Sequence, residues 1–414
     1  MKRRGVSVTR CPLPSAPTEM WSRSLPPGSE EAARIESGWS LTSIVIETRS
    51  GQDVGPGAST GTSAPGDGRP VGHRDDAPAS EAELVGRLLS RRFKAYGADW
   101  KRSLFQLATT AIPFAGLLVA IAAASRVHYG LSLLLAIPAA GLLVRLFIFQ
   151  HDCGHGSFFR SRAANDALGR MLSVLTLTPY GHWRKGHAVH HASSGNLDRR
   201  GRGDVETLTV AEYDALSPLG RLGYRLYRSP FVMVLLGAPI NFIILQRIPR
   251  GFSFRDRDAR RSMLALDAAL VLVFGLAMAA VGVATTLATY LPVMIIASWI
   301  GNWLFYVQHQ FDDTYWQRNG DWDFHTAALA GSSYFELPPI LQWFSGNIGL
   351  HHIHHLCSRV PNYHLQACAD SAPELQRIAK RISLRESLAC WKLALWDEDR
   401  RMMVAFGDLR PRSV

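Results

Sequence analysis

From Ser103 to Ser125 the chain carries no charged side chain. At about 1.5 Å per residue, a helix over this stretch crosses a hydrocarbon core about 30 Å thick. Inside such a core every backbone N–H and C=O must be paired within its own segment, which leaves a helix as the form for an isolated run. Leu131–Gln150 repeats the pattern after the linker RVHYG and is interrupted only by Arg145, whose guanidinium is expected to snorkel to the interface. Ala268 to Phe311 is again uncharged apart from His309 and too long for one crossing, and Val281-Gly282-Val283 offers a tight turn. Spans are therefore expected over about 103–125, 130–150, 263–282 and 285–308. Ser229–Gln246 is apolar too, but Pro230, Pro239 and Pro249 punctuate it, which points to an interfacial or re-entrant segment. The expected fold is an all-α integral membrane protein: four transmembrane helices in two hairpins, interfacial helices, and a histidine-rich cap on one side.

The flanks set the orientation. Residues 151–262 are rich in arginine, and Arg91, Arg92, Lys94, Lys101 and Arg102 precede the first span. The positive-inside rule puts both regions, and the N-terminus, in the cytoplasm, with a bacterial inner membrane as the expected site. The net charge of +11 is explained by these flanks. Zinc-finger spacing, an RNP-like aromatic set and a basic helix are all missing, so nucleic acid is not an expected partner. Five scattered cysteines form no CxxC pair and no disulfide framework. Residues 1–80, rich in Gly, Pro and Ser, are expected to be disordered. MKRR opens the chain without the apolar run of an export signal; a transit peptide and a mis-assigned start codon both stay open. The folded domain is expected over 81–400, starting with SEAELVGRLL, where Ser80 and Glu83 form a capping-box pattern for a helix lying along the membrane surface. Residues 401–414 are expected to be a tail.

Most of the fifteen histidines fall in four places. HDCGH, with His151 and His155, follows the second span. HWRKGHAVHH holds His187, His190 and His191. FYVQHQF, with His309, closes the fourth span, and GLHHIHHLCSRVPNYH contains His351, His354 and His355. On a helix, positions i, i+3 and i+4 share a face, so each cluster can aim two or three imidazoles into one cavity. All four places lie on one side of the membrane and can converge. Nine imidazoles exceed what one tetrahedral ion uses and suit two metals of higher coordination number. No thiolate set favours copper, and no Glu–ExxH pattern of the ferritin type is present, which leaves a histidine-rich di-iron centre. A lone histidine is ordinarily a surface or packing residue, and His73, His128 and His325 are read that way. His352 is adjacent to His351 rather than at ligand spacing and is left out.

HDCGHGSFF, GHAVHH and HHIHHLCSRVPNYH, in that order and separated by membrane hairpins, resemble the three histidine boxes of the integral-membrane fatty acid desaturases. QHQFDDTYW is similar to the stretch those proteins carry after their fourth span. The likeness runs from about residue 90 to 370. It implies two iron ions, dioxygen as co-substrate and insertion of a cis double bond into an acyl chain. It makes His151, His155, His187, His190, His191, His351, His354 and His355 iron ligands, with His309 as the ligand at the end of the fourth span. Asp152 would accept a hydrogen bond from an imidazole and fix its tautomer. Asn347 would hold a water near the metals or serve in a cap or in packing. HDCGH also resembles the first box of the acyl-lipid, methyl-end branch, which implies Δ12 or omega-6-type chemistry.

The chain carries no haem motif, GxGxxG or ferredoxin cysteine set, so electrons must come from a separate ferredoxin-type protein. Arg199, Arg200 and Arg202 are a candidate docking patch, and Trp299, Trp303, Phe305 and Tyr306 are candidates for the wall of an acyl tunnel. The expected substrate is an acyl-lipid, or else an acyl-CoA or acyl-carrier-protein ester. The rival readings are a hydroxylase, ketolase or acetylenase using the same centre on a lipid or carotenoid, a di-zinc hydrolase, and a metal transporter.

Overall fold

A computed structural model describes residues 79–201, 203–249 and 255–409. The expected disorder over most of 1–80, the end of the tail, His73 and Arg202 lie outside them.

Helix α1 (Glu81–Phe93) starts at Ser80, whose hydroxyl accepts the Glu83 N–H at 3.1 Å, while the Glu83 carboxylate turns to Arg87. Among the described residues four helices are long and apolar enough to cross a membrane: α2 (Trp100–Ala124), α3 (Tyr129–His155), and two further on. Asp99 caps α2, and His128, read as a surface histidine, caps α3 by accepting the Gly130 N–H. Gly156, at φ 70°, ends α3 just after His155 in the left-handed conformation glycine tolerates best. The first box thus occupies the last turn of a span.

Helices α4 (Arg162–Thr176) and α5 (Tyr180–Ser193) follow, with α5 carrying the second box. After α6 (Pro218–Arg228) the chain bends by 57° at Ser229-Pro230 into the apolar segment that had been read as interfacial or re-entrant. The cause is local: the residue before a proline is driven out of the helical region, and Ser229 sits at ψ 135°. The second pair of candidate spans is α7 (Arg257–Val281) and α8 (Val283–His309), joined at Gly282 with φ 88°. The third box forms the short helix α9 (His351–Leu356), followed by α10 (Asn362–Asp370).

Burial within the chain is uneven. The apolar window of α3 is 56% buried, whereas that of α7 is 11% buried and leaves Leu264, Val271, Leu272 and Leu276 exposed. Such an apolar face suits contact with hydrocarbon. Helix α1 packs on the cap, with Leu89 and Phe93 fully buried beside Ile353 and Leu356.

The fold is helical as expected, and two points within it differ. Arg145 does not snorkel. Its side chain is buried, its Nε donates to Thr110 Oγ1 at 3.2 Å, another N–H donates to the Trp343 carbonyl, and the guanidinium lies 4.3 Å from the Trp343 ring centre. Beside its helices the chain forms two small sheets. In one, β1 (Leu208–Thr209) pairs in parallel with β4 (Leu393–Asp397), which pairs antiparallel with β5 (Met402–Ala405); in the other, β2 (Tyr334–Glu336) pairs in parallel with β3 (Arg381–Ser383). Because β5 packs Met403 and Val404 into the interior, the folded body continues to about residue 409 and the tail is shorter than expected.

Candidate metal centre

The nine histidines singled out from sequence converge into two adjoining groups. His151, His155, His187, His191 and His354 form one, and His190, His309, His351 and His355 the other. In each, one donor atom from every residue lies within 4.8 Å of the rest. His352 belongs to neither; its ring is buried, and that burial pushes it down to about 4.

Helical geometry explains the division. Successive residues are about 100° apart around the axis, so i and i+4 nearly overlap while i+3 lies on the other side of i. On α5, His187 and His191 enter the first group and His190 the second. On α9 the arrangement is reversed, with His351 and His355 in the second group and His354 in the first. The two HxxHH helices thus face each other across the pair, and the His191 and His355 rings stack between the groups at 4.1 Å.

The ring nitrogens point at common centres. Nε2–Nε2 separations are 3.0 Å for His309–His351, 3.1 Å for His351–His355, 3.2 Å for His190–His355, 3.1 Å for His187–His191 and 3.0 Å for His191–His354. Two ligands at right angles on a metal with bonds of about 2.1 Å lie about 3.0 Å apart, against about 3.4 Å for tetrahedral ligands. The spacings therefore fit a centre with more than four ligands. His155 Nε2 is buried with no hydrogen-bond partner among the described residues, as an atom reserved for a cation would be.

Burial, reinforced by the neighbouring imidazoles, holds His187, His191, His351, His354 and His355 well below the ordinary imidazole range. Neutral rings offer lone pairs, which metal binding requires.

Fixed acceptors orient several rings. Asp152 Oδ1 lies 3.2 Å from His151 Nδ1, while its Oδ2 accepts the Asn362 backbone N–H at 2.8 Å and side-chain N–H at 2.9 Å. Asp204 accepts from His190 Nδ1, and the Gly331 carbonyl accepts from His309 Nδ1 at 3.2 Å. A carboxylate or carbonyl can only accept, so in each pair the proton sits on Nδ1 and Nε2 is left free. Trp183 stacks on His187 at 4.5 Å. The sequence reading named Asp152 but missed Asp204, Asn362, Gly331 and Trp183. Trp183 was within reach, since it precedes His187 by one helical turn.

Asn347 stands at φ 58° after Gly346 at φ 57°, and its side-chain amide donates to the Asn362 carbonyl at 3.4 Å. It serves the turn before α9 and the network behind Asp152. Of the tunnel candidates, Phe305 meets the centre, with its ring 5.3 Å from those of His190 and His309. Tyr306 is instead tied to Arg228 and the Leu393 carbonyl, Trp303 packs on Trp391, and the Trp299 indole donates to the Leu235 carbonyl. In the proposed docking patch, Arg200 is paired with Glu212 while Arg199 is exposed.

Four membrane-length helices among the described residues, two of them ending in converging histidine groups able to hold metal, define a membrane protein with a candidate metal centre at one end of its bundle. A family model described as fatty acid desaturase matches residues 124–382. A fatty acid desaturase of Bacillus subtilis is 43% identical over 323 residues, covering 75% of this chain and 88% of that protein. From Synechocystis, an sn-1 oleoyl-lipid 12-desaturase is 26% identical over 241 residues, covering 56% of this chain and 65% of its own length. An sn-1 acyl-lipid omega-3 desaturase (ferredoxin) from the same organism is 28% identical over 240 residues, with 55% and 63% covered. The chain belongs to the fatty acid desaturase family, and it is an oxidoreductase acting on fatty acids.

Proposed function

We propose that the protein inserts a cis double bond into an acyl chain of a membrane lipid, of Δ12 or omega-6 type, using dioxygen and electrons from a ferredoxin-type donor. The observation that carries this reading is the pair of histidine groups gathered at the ends of α3 and α8, two of the membrane-length helices. The five histidines of the first group and the four of the second are the proposed ligands of two iron ions. When bound, the irons would supply the oxidising power that an unactivated methylene pair demands and side chains lack. The overall change is –CH2–CH2– plus O2, two electrons and two protons to –CH=CH– plus two waters.

The chain's own residues position and shield. Asp152, Asp204 and Gly331 hold three rings with Nε2 directed inward. Burial of the second group, with Phe305 over it, keeps bulk water from the reacting carbons. The names of the two Synechocystis relatives support a lipid-borne substrate, and one of them supports ferredoxin as donor. The arginine-rich cap supports a cytoplasmic position for the histidines and the N-terminus in a bacterial inner membrane.

The test is expression in a bacterium that makes only saturated and monounsaturated lipids, with a ferredoxin system, comparing the native chain and His190→Ala. A new double bond, its position fixed by derivatisation and mass spectrometry and absent with the variant, is the expected result. A new oxygenated lipid would replace the reading with hydroxylation. No lipid change from membrane-inserted, iron-loaded protein would refute the acyl substrate.

A further inference from the structure

Resting on the two-metal reading above, we propose that Asp204 is the positioning residue of the second metal position, so that its loss weakens binding there while the first position keeps its affinity.

His190 is 0% exposed and is the one histidine of α5 in the second group; the other three come from α8 and α9. Its ring is thus the link between that group and the helix that carries the second box. Asp204 faces its Nδ1, which leaves Nε2 directed at His355 Nε2, 3.2 Å away. A rotated ring or the other tautomer would remove the lone pair from the group.

The carboxylates behind the two groups differ. Asp152 divides its oxygens between His151 and Asn362, so it also joins α3 to α10. Asp204 Oδ2 is buried with no hydrogen-bond partner among the described residues, which leaves His190 as the polar contact of that carboxylate. Asp152 joins ligand to fold, whereas Asp204 serves its ligand.

The fold is arranged to bring Asp204 there. Gly203, at φ 78°, lies so close to α5 that a Cβ would stand 3.2 Å from His190 Cβ and 3.3 Å from the Gly186 carbonyl oxygen. Just after Asp204 the chain is fastened several times. The Glu206 N–H donates to Tyr227 Oη at 3.2 Å, the Glu206 carbonyl accepts from Arg228 at 2.9 Å, and the Leu208 N–H donates to Tyr224 Oη at 3.0 Å. Strand β1 then pairs with β4. The small sheet that the helical reading did not anticipate holds this loop against the centre.

The experiment titrates ferrous iron alone, without oxygen, into detergent-purified native chain and Asp204→Ala, Asp204→Asn and Asp152→Ala variants. It reads bound iron per chain, the Mössbauer signature and the melting temperature. The native chain should take up two ions. Asp204→Ala should bind the first as the native chain does and the second about 10–100-fold more weakly. Asp204→Asn, whose amide oxygen still accepts the Nδ1 proton, should fall between them and guards against a folding artefact in the alanine variant. Asp152→Ala should weaken the other ion. Two ions at native affinity in Asp204→Ala, or equal weakening of both, would overturn the proposal. Fewer than two ions in the native chain would overturn it through the two-metal reading, and that failure is separable because it precedes any substitution.

Discussion

Gly169→Ala sets two physical effects against each other at the frame that holds the first two boxes together. Gly169 lies inside α4, where exchanging glycine for alanine ordinarily favours the helix by about 0.8–1.0 kcal/mol. Here the new Cβ would stand 2.5 and 2.7 Å from Cδ2 and Cζ of the Tyr180 ring, and nearer still to Cε2. Relief requires the ring to move by roughly an ångström, since ordinary contact begins near 3.4 Å. That ring is not free to move. Its hydroxyl donates to the Cys153 carbonyl at 2.8 Å and meets Asp166 at 2.9 Å, and the Tyr180 N–H donates to Ser173 Oγ at 3.1 Å. Overpacking of this kind costs about 1–3 kcal/mol, and loosening a buried hydrogen bond adds about 1 kcal/mol or more. The clash therefore outweighs the helix gain, leaving a net loss of about 1–3 kcal/mol. Cys153 stands between His151 and His155, so the strain reaches the first metal group. Gly186→Ala is the control: it lies in α5 beside His187, and its Cβ would meet nothing within 4 Å. Thermal unfolding in detergent with iron content measured alongside should show Gly169→Ala less stable and poorer in iron, with Gly186→Ala at least as stable as the native chain. A melting temperature for Gly169→Ala at or above the native value would refute the reasoning.

Asp152→Ala should destabilise the chain by about 1–3 kcal/mol for each Asn362 donor left buried and unpaired, with Asp152→Asn between it and native because one acceptor remains; unchanged unfolding of the alanine variant would contradict the Asp152–Asn362 link. Asp166 supplies the pH test. Burial alone would raise its carboxyl, but the Tyr180 hydrogen bond and the charges of Arg184 and Arg162 prevail and hold it below its ordinary value of 3.8. A group depressed in the folded state contributes stability above its unfolded pKa and loses it as pH falls through the folded one, so the native melting temperature should decline below about pH 4. Asp166→Asn should be less stable at neutral pH and show a shallower decline, measured by unfolding scans across that range; parallel curves would remove Asp166 from the account.

What could be read in this sequence divides along a physical line. Spans and histidine clusters are local patterns. An uncharged run declares a membrane helix by composition alone, and each expected span falls within a few residues of α2, α3, α7 and α8, apart from the extra polar turns at the start of α7. His187, His190 and His191 show their convergence through the helical period itself. The groups that orient the ligands obey no such period. Asp204 reaches His190 from a loop held by a pairing of Leu208 with Leu395, and Asn362 reaches Asp152 from a helix at the far end of the chain. Arg145 was misread for the same reason: Thr110 and Trp343, which bury it, come from opposite sides of it in sequence and carry no charge to advertise the contact. A metal ligand must be one of a few residue types at a fixed spacing, whereas its hydrogen-bond acceptor can be any carboxylate or backbone carbonyl that the fold delivers. Gly331 supports His309 with a main-chain oxygen, so no side chain marks its role at all. In a site built this way, periodicity identifies the converging histidines, and only the folded chain identifies what holds them.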